Sequence, residues 1–550
     1  MSSSRRRTQR WIRAVASATV LVAVIAAGVV GTGSASARGP STVPAAAKPT
    51  RGGSVNYGIE SETSGGWCLP NAQLAISGIM VASAIYDTLT EMNSKGKYVP
   101  YLAKTVTHDP TYTQWTIGLR DGVKFQDGTP LTADAVKQNV DAWKKGRLLG
   151  FVYSDVADVA VVDPLTVKVT TAKPWVDFDA FLFFDGRVGI AAPAQLANAD
   201  TCPTNLIGTG PFMIYNGAGH WTPNQEFVAS RNPNYWRTDR FGTQLPYLDK
   251  IVFRPNPDPS QRTNQLQAGQ LQLTHTWSGL QIDQLQRLSG LTLMRQKPGR
   301  REVRYYVLNA KKPPFDDLNA RKAIALALDR PQINAIRNAG IFQLANGPFD
   351  KDVPGYLKNP GFPRHNLNAA QKLVAAYKSA HGGQFSVVVE YTNDPEDSGE
   401  GQLMKEQLAK AGIASTLQIE NQSAFINTAL GGNFSILLWR NHPGDDPDVN
   451  YVWWNASSPI NFGKFQSPNL QTLLDQGRSE PDPAKRKQIY EQINKIFSQQ
   501  YFNIWSYYAD WTIAAKPNLQ GLAGPPLPDG GGQPIFVYGR HPVVGIWLKK

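Results

Sequence analysis

A short stretch near residue 440 carries the side chains with the clearest binding chemistry. The apolar run 434–438 predicts a buried strand, which leads into the polar loop 439–448. A polar loop at the end of a strand is a common place for α/β proteins to bind a ligand. In this loop Arg440 could pair with a carboxylate through two parallel hydrogen bonds. Asp445 or Asp446 could hold an ammonium group, because a buried ammonium needs a carboxylate partner.

Four further residues complete the set of candidate ligand contacts: Trp439, His442, Asn461 and Trp67. His442 favours an anionic or neutral solute, or a metal chelate, although it could equally be a loop histidine bonded to nearby backbone. The aspartates of the loop have a structural alternative as turn formers and helix caps. Residues 60–67 follow the first predicted strand and should face a cleft, where Trp67 could stack on a ligand. The alternative is that Trp67 packs around Cys68.

The sequence lacks the motifs of the common hydrolases and nucleotide-binding enzymes. It contains no G-x-S-x-G elbow, no H-E-x-x-H pair and no phosphate-binding P-loop. Its seven histidines are scattered without the spacing of metal ligands, and the acidic loop lacks the alternating carboxylates of an EF-hand. We therefore expect a binding protein that catalyses nothing, without a cofactor or a metal site. A secreted hydrolase is the remaining enzymatic alternative.

The N-terminus predicts export from the cytoplasm. Five arginines precede residue 14, residues 14–37 carry no charge, and Ala35-Ser36-Ala37 forms a small-residue cleavage site. Together these features are typical of a secretory signal peptide over residues 1–37, followed by a flexible spacer over 38–53 that is rich in Pro, Ala, Ser and Thr. The alternative is an uncleaved membrane anchor. No cysteine follows the apolar run, so the usual attachment point of a lipoprotein is missing.

Charge and cysteine content fit an extracytoplasmic protein. The formal net charge of +13 falls to +8 without the five N-terminal arginines. The remaining positive charges are dispersed, whereas a nucleic-acid-binding protein concentrates them on one face. Cys68 and Cys202 form an even pair, which in an exported chain favours a disulfide. That bond would stabilise the fold by roughly 4–5 kcal/mol because it closes a long loop; two unrelated buried thiols are the alternative.

Strands and helices alternate over much of the chain, which predicts a large α/β protein with mixed sheets. Residues 115–119 alternate as a half-buried strand. The turn pair Asp121-Gly122, the apolar residues Val123 and Phe125, and the turn pair Asp127-Gly128 follow, a pattern typical of a hairpin. Thr132 then caps a helix. Residues 159–162 and 165–169 predict a further hairpin. About 500 residues follow the spacer, more than one core usually supports, so two or more lobes are expected.

Several segments resemble family 5 of the bacterial extracellular solute-binding proteins, the dipeptide, oligopeptide and nickel receptors of ABC importers. Residues 115–133, WTIGLRDGVKFQDGTPLTA, resemble the family's signature segment. Further similar segments follow in the family's order: 208–212 (GTGPF), 232–236 (NPNYW), 246–249 (PYLD), Asn309 with 313–315 (PPF), 321–323 (RKA), 327–330 (ALDR), 345–348 (ANGP), and Asp482, Arg486 and Tyr490. The similarity extends over about residues 54–520.

The resemblance implies a two-lobed, periplasmic-binding-protein-like clamshell of type II, in its large three-domain variant. Hinges would lie near 304–306 and 505–508, and both cysteines would fall in the first lobe. The implied division of the mature chain is a lobe I core formed by 54–90, 205–300 and 512–550, an inserted domain over 91–204, and lobe II over 301–511.

The resemblance also implies the function and the partners. The protein would capture a peptide or another small solute between its lobes and deliver it to an ABC permease and its ATPase, as a monomer outside the cytoplasmic membrane. In the peptide receptors an Asp three residues beyond the Trp holds the ligand's α-amine; here that position is His442, and the loop is about one residue longer. A receptor uncoupled from transport, for sensing or for binding cell-wall fragments, is the alternative. The identity of the solute does not follow from the sequence.

Overall fold

The structure, a computed structural model, describes residues 48–74, 76–441, 446–536 and 540–550. The predicted signal peptide lies outside the described residues, as does most of the predicted spacer. The strands are, in chain order, β1 (Ser54–Ile59), β2 (Thr63–Ser64), β3 (Gln73–Leu74), β4 (Thr90–Met92), β5 (Tyr98–Pro100), β6 (Ala103–His108), β7 (Gln114–Leu119), β8 (Val156–Asp163), β9 (Thr166–Thr171), β10 (Phe212–Met213), β11 (His220–Thr222), β12 (Glu226–Arg231), β13 (Lys250–Pro255), β14 (Leu273–Thr276), β15 (Thr292–Arg295), β16 (Glu302–Leu308), β17 (Gln343–Leu344), β18 (Ser386–Thr392), β19 (Ala414–Glu420), β20 (Ile436–Asn441), β21 (Asn503–Ala509), β22 (Thr512–Ala515), β23 (Leu519–Gln520) and β24 (Trp547–Leu548).

The helices alternate with these strands. They are, in chain order, α1 (Ile76–Ile85), α2 (Ala133–Lys145), α3 (Leu149–Val152), α4 (Phe178–Phe181), α5 (Pro193–Leu196), α6 (Pro259–Gln267), α7 (Gly279–Arg287), α8 (Leu318–Ala327), α9 (Arg330–Asn338), α10 (Leu367–Ala380), α11 (Pro395–Lys410), α12 (Gln422–Gly431), α13 (Tyr451–Trp454), α14 (Pro468–Ser479) and α15 (Pro483–Gln500).

The first large sheet has the strand order β10-β12-β13-β1-β14-β22-β15, and β11 pairs with β12. It is mixed, because β1 is parallel to β13 and β14 while the other pairs are antiparallel. Its strands come from three separate parts of the chain, 54–59, 212–295 and 512–515. β1 lies between β13 and β14, so Glu60, the residue directly after β1, lies at the end of a central strand of this sheet.

The second large sheet has the order β17-β21-β16-β20-β18-β19. It is also mixed, because β18 is parallel to β19 and β20, whereas β16 is antiparallel to β20 and β21. The buried strand predicted over 434–438 is β20, which begins two residues later and continues through Arg440. Its pairing with β16 explains this extension, since Arg440 is in register with Arg304.

The third sheet is antiparallel, with the order β6-β7-β9-β8. The predicted strand over 115–119 is β7, and the hairpin predicted over 159–169 is β8 and β9. The hairpin chemistry predicted for 121–128 takes the form of a tight antiparallel turn about Asp127-Gly128, with a bridge between Lys124 and Pro130 and hydrogen bonds from Phe125 N–H to Thr129 O (2.8 Å) and from Leu131 N–H to Val123 O (2.9 Å). Thr132 caps α2 as predicted, accepting from the Ala135 N–H at 3.3 Å.

Residues 49–550 pack as one compact unit. One continuous apolar core joins the third sheet and the second, since Trp115, Trp143 and Phe181 belong to the same cluster as Leu437 and Trp505. The structure therefore holds the region of residues 91–204 against the region of residues 301–511. The division into lobes at the predicted boundaries stays a prediction.

The predicted disulfide between Cys68 and Cys202 is present, with an S–S distance of 2.04 Å. It connects the segment after β2 with the segment after α5. Among the helices of the described residues, none combines the length and the apolar character that crossing a membrane requires.

Candidate functional site

A cavity of about 250 Å³ is lined by segments from distant parts of the chain. Its wall is formed by side chains from 60–76, 148–187, 302–304 and 392–460, together with Pro257. Part of the wall is apolar and part carries charged groups. A concave site with an apolar lining and a few convergent polar groups is typical of small-molecule binding.

Arg440, at the end of β20, connects the two large sheets across this cavity. Its guanidinium lies 3.5 Å from Glu60, which follows β1, and 3.5 Å from Glu302 on β16. The guanidinium carbon is 4.0 Å from the ring centroid of Trp277, a cation–π contact. Burial opposes the charge, but Glu302 and Glu60 outweigh it and raise the pKa of Arg440. Arg440 therefore stays cationic and holds two buried carboxylates.

Burial acts on the carboxyl group of Glu60 in the opposite direction to Arg440. Only 6 % of the residue is exposed. Burial raises the pKa of Glu60, and the attraction of Arg440 acts in the opposite direction. Removing a carboxylate from water disfavours its charge, and the proximity of Arg440 favours the ionised form of Glu60 against that cost.

A second cluster of charges surrounds Arg304 on β16. Its guanidinium lies 2.8 Å from Asp397 and 3.2 Å from Glu400, both on α11. Glu400 also accepts hydrogen bonds from the hydroxyls of Tyr306 (2.5 Å) and Tyr507 (3.0 Å). All of these groups are buried. Arg304 is thus paired with two protein carboxylates in this structure.

Asp394 stands on the cavity wall immediately before α11. One oxygen of its carboxyl caps the helix by accepting from the Glu396 N–H at 2.8 Å. Burial, reinforced by the neighbouring Glu396 carboxyl, raises the pKa of Asp394 to about 7. Within the described ranges Asp394 takes part in no ion pair, in contrast to Glu60 and Asp397.

The apolar part of the wall is aromatic on the side of the second sheet. Trp439, which is half-buried, stacks on Phe425 with ring centroids 5.4 Å apart and meets Phe462 edge-on at 5.0 Å. Leu149 and Val152 from α3 line the cavity as well. Trp439 thus brings an aromatic surface to the cavity wall, which suits contact with an apolar part of a solute.

Two of the residues predicted from the sequence, Trp439 and Arg440, line the cavity. His442 and Asp445 lie outside the described residues. Asp446 is placed elsewhere: its carboxylate forms a two-pronged pair with Arg486 on α15 (2.7 and 2.6 Å) and accepts from the Asp448 N–H. Its charge is therefore compensated within the protein.

Asn461 and Trp67 are also not on the cavity wall. Asn461 is buried, and its side-chain amide donates to the carbonyl oxygen of Phe465 at 2.9 Å, which fixes a turn. Trp67 is fully buried, with ring contacts to Trp221 (5.8 Å) and Phe227 (5.2 Å). Trp67 is therefore a core residue in this structure, because none of its indole surface is left exposed for a ligand.

Sequence reasoning missed most of the charged wall: Glu302, Arg304, Asp394 and Asp397. A weak signal exists for Glu302 and Arg304, since alternate residues of a strand share one face. Asp394 followed by Pro395 is a recognisable helix start. Neither pattern shows that these groups meet at one cavity, because they come from distant segments.

The family model described as "Bacterial extracellular solute-binding proteins, family 5 Middle" matches residues 97–463. The glutathione-binding protein GsiB of Escherichia coli (strain K12) is 24% identical over 443 residues, covering 76% of this chain and 82% of that protein. GsiB of Shigella flexneri serotype 5b (strain 8401) is 28% identical over 445 residues, with the same coverage.

Solved structures resemble the fold over most of the chain. AgaA from A.tumefacien R10, in complex with agropinic acid, has a TM-score of 0.78 at 22% identity, covering 90% of this chain and 99% of that one. The oligopeptide-binding protein AppA from Bacillus subtilis, in complex with a nonapeptide, has a TM-score of 0.78 at 21% identity, covering 92% and 100%. The observed architecture is therefore that of the periplasmic binding proteins.

Proposed function

Because this chain belongs to family 5 of the bacterial extracellular solute-binding proteins, we propose that it captures a peptide or peptide-like solute in the cavity beside Trp439 and Arg440. It then delivers the solute to the permease and ATPase of an ABC importer. The family and the relatives named above are binding proteins, and the protein acts as a receptor rather than an enzyme.

The observation that carries this proposal is the mixed character of the cavity wall. A peptide presents charged termini and apolar side chains, and the wall offers guanidinium and carboxyl groups next to an aromatic and aliphatic surface. The names of the relatives support the same class of solute, since GsiB is called glutathione-binding and AppA was solved with a nonapeptide.

Trp439 and Arg440 contact the solute directly. Trp439 offers a ring face for an apolar group, and Arg440 can transfer one of its hydrogen bonds from Glu60 or Glu302 to a solute carboxylate. His442 and Asp445 follow directly on β20 in the sequence, so they belong to the proposed set of contacts. Asp446, Asn461 and Trp67 do not.

Capture involves closure of two lobes about hinges at 304–306 and 505–508. Lobe I comprises 54–90, 205–300 and 512–550 with the inserted domain 91–204, and lobe II comprises 301–511. Ligand binding favours closure only by its differential affinity for the two states. Small-angle X-ray scattering should show a smaller radius of gyration with ligand; an unchanged value at saturation would contradict closure.

The protein works outside the cytoplasmic membrane after cleavage of residues 1–37. The disulfide between Cys68 and Cys202 supports this location, because disulfides persist in oxidising compartments. Intact-mass measurement of the exported protein should give a chain that begins at Arg38. A mass that includes residues 1–37 would instead indicate a retained N-terminal anchor.

Calorimetric titration with a pool of tripeptides built from alanine and leucine tests the proposed site. Ala72 lies on the cavity wall, so Ala72→Trp should fill the cavity and abolish binding. Ala157 is exposed on β8, and Ala157→Trp is the matched control that should bind like the wild type. Equal binding by both variants would place the peptide elsewhere, and no binding by the wild type would refute the solute class.

A further inference from the structure

The described wall of the cavity holds more acidic than basic groups. Its carboxyl groups are those of Glu60, Glu302, Asp394 and Asp397, and its guanidinium groups are those of Arg187, Arg304 and Arg440. Glu400 adds another carboxylate directly behind Arg304. A buried excess of one sign is costly unless a proton or a counter-charge compensates it.

Two of the arginines already serve two carboxylates each. Arg440 is shared by Glu60 and Glu302, and Arg304 by Asp397 and Glu400. Asp394 is the wall carboxyl that these arginines leave without an ion pair in the described part of the chain. A bound proton or a cationic group of the solute would compensate its charge directly, whereas Arg440 acts on it only from a distance.

The surroundings of Asp394 define the field at its carboxyl. Glu60 faces it from the end of β1, Arg262 from α6 and Arg440 from β20. From its own helix the Glu396 carboxyl acts on it and raises its pKa. Arg262 is buried and donates to the carbonyl oxygen of Asn256 rather than to a carboxylate, so it contributes only at longer range.

The Asp394 carboxyl has capacity for a further donor. One of its oxygens accepts the Glu396 N–H, a bond that caps α11 and holds the carboxyl in place. Because the same residue lines the cavity, a solute can approach the group. An ammonium or guanidinium donor would form a charge-assisted hydrogen bond there, about twice as strong as a neutral one.

We propose that Asp394 is a specificity-determining residue that binds a cationic group of the solute, so that this receptor selects solutes bearing an ammonium or guanidinium group. This inference rests on the proposed function, because it concerns the same cavity. Arg440 and Trp439 engage other parts of the solute, and Asp394 decides its charge class.

Asp394→Asn tests the role without removing the helix cap, since Asn caps as well as Asp. Asp482, which caps α15 outside the cavity, gives the matched control Asp482→Asn. The probes are a pool of Ala/Leu tripeptides with free N-termini and the same pool after N-acetylation, titrated by calorimetry. Loss of a charge-assisted bond predicts roughly 10- to 100-fold weaker binding of the free pool to Asp394→Asn.

The wild type should likewise bind the acetylated pool roughly 10- to 100-fold more weakly than the free pool. For Asp394→Asn, acetylation should make little further difference, while Asp482→Asn should behave like the wild type. If Asp394 only caps α11 and does not contact the solute, Asp394→Asn should bind both pools as tightly as the wild type does.

The pH dependence gives a second readout. Below about pH 7 a cation must displace the proton that Asp394 carries in the free protein. Affinity of the wild type for the free pool should therefore fall as the pH decreases from 7.0 to about 5.5. Titrations in two buffers of different ionisation enthalpy should detect proton release on binding, and Asp394→Asn should abolish it.

The possible failures are distinguishable. If the wild type bound both pools equally well, or if Asp394→Asn retained full preference for the free pool, this inference would be wrong while the peptide receptor stands. If the wild type bound neither pool, the proposed function would fail and the inference with it.

Discussion

Replacing Arg478 by Met should destabilise the protein strongly, because this arginine joins two regions of the core. It lies on α14 and is 4% exposed. Its guanidinium is 3.0 Å from Asp448, which follows the loop after β20, and 2.9 Å from Asp155, which precedes β8. The guanidinium carbon is also 3.7 Å from the ring centroid of Tyr451 and 4.2 Å from that of Trp175.

The expected magnitude follows from what the substitution leaves behind. Asp448 is 1% exposed, so without Arg478 a carboxylate is buried without its ion-pair partner. Breaking a buried ion pair in this way costs about 3–5 kcal/mol. Asp155 is more exposed, at 19%, and its lost pair adds little because solvent screens it. We therefore expect the free energy of unfolding to fall by about 3–5 kcal/mol.

Urea unfolding followed by tryptophan fluorescence measures this loss. Arg287→Met is the matched control, because Arg287 pairs with Asp283 on the surface of α7 and is 76% exposed. It should leave the free energy of unfolding nearly unchanged, because solvent screens an exposed ion pair. Adding Asp448→Asn to Arg478→Met should restore more than about 1 kcal/mol, because the uncompensated charge is removed.

The loss of stability caused by Arg478→Met should become smaller as the pH falls. Burial raises the pKa of Asp448 above its ordinary value, and Arg478 acts against that shift. Without Arg478 the pKa in the folded state rises further, so the ionised carboxylate destabilises the variant only above the unfolded-state pKa of about 4. The difference from wild type should shrink as the pH falls from 7 to 4. A difference below about 1 kcal/mol at pH 7, or one that grows on acidification, would refute the reasoning.

Three other outcomes are expected. The double substitution Cys68→Ser and Cys202→Ser should lower the free energy of unfolding by roughly 4–5 kcal/mol, because the loop between them spans 134 residues; equal stability of wild type with and without reductant would contradict it. Trp67→Ala should lower the free energy of unfolding in urea by about 3–5 kcal/mol and leave the affinity for the solute unchanged. Trp439→Ala should weaken solute binding measured by calorimetry. The reverse pattern would assign packing to Trp439 and solute contact to Trp67. Burial lowers the pKa of His541 to about 4, so below its unfolded pKa near 6.5 the unfolded state binds the proton more readily. Between pH 7 and pH 5 wild type should therefore lose about 2 kcal/mol more stability than His541→Gln, and equal losses would disprove the assignment.

The sequence predicted the local elements of the fold well wherever the signal was itself local. Thr132 begins α2 because its hydroxyl can bond the first free amides of a helix, and residues 114–119 form β7 because alternation fixes one buried face. The family motifs predicted the class of fold and of function, and both are confirmed. Residues 123–131 follow the same rule, because the turn pair Asp127-Gly128 lets this short segment fold back on itself.

The candidate site was predictable only in part. Trp439 and Arg440 were found because a buried strand and its polar end are visible in one short segment. Asp446, Asn461 and Trp67 have residue types that suit ligand binding, yet each is used inside the protein. A residue type states which bonds a side chain can make, and only its neighbours decide which bonds it makes.

The sequence by itself therefore determined the elements, the family and the pairing of the only two cysteines. The tertiary structure decided which charges meet. Arg440 and Glu60 are separated by 380 positions, and Arg304 and Glu400 by 96. The physical reason is that helix caps and strand alternation depend on residues a few positions apart, whereas a cavity wall depends on how whole sheets pack. Asp394 illustrates both levels. The pair Asp394-Pro395 marks a helix start in the sequence, whereas only the packing of the chain places the Asp394 carboxyl group on the cavity wall.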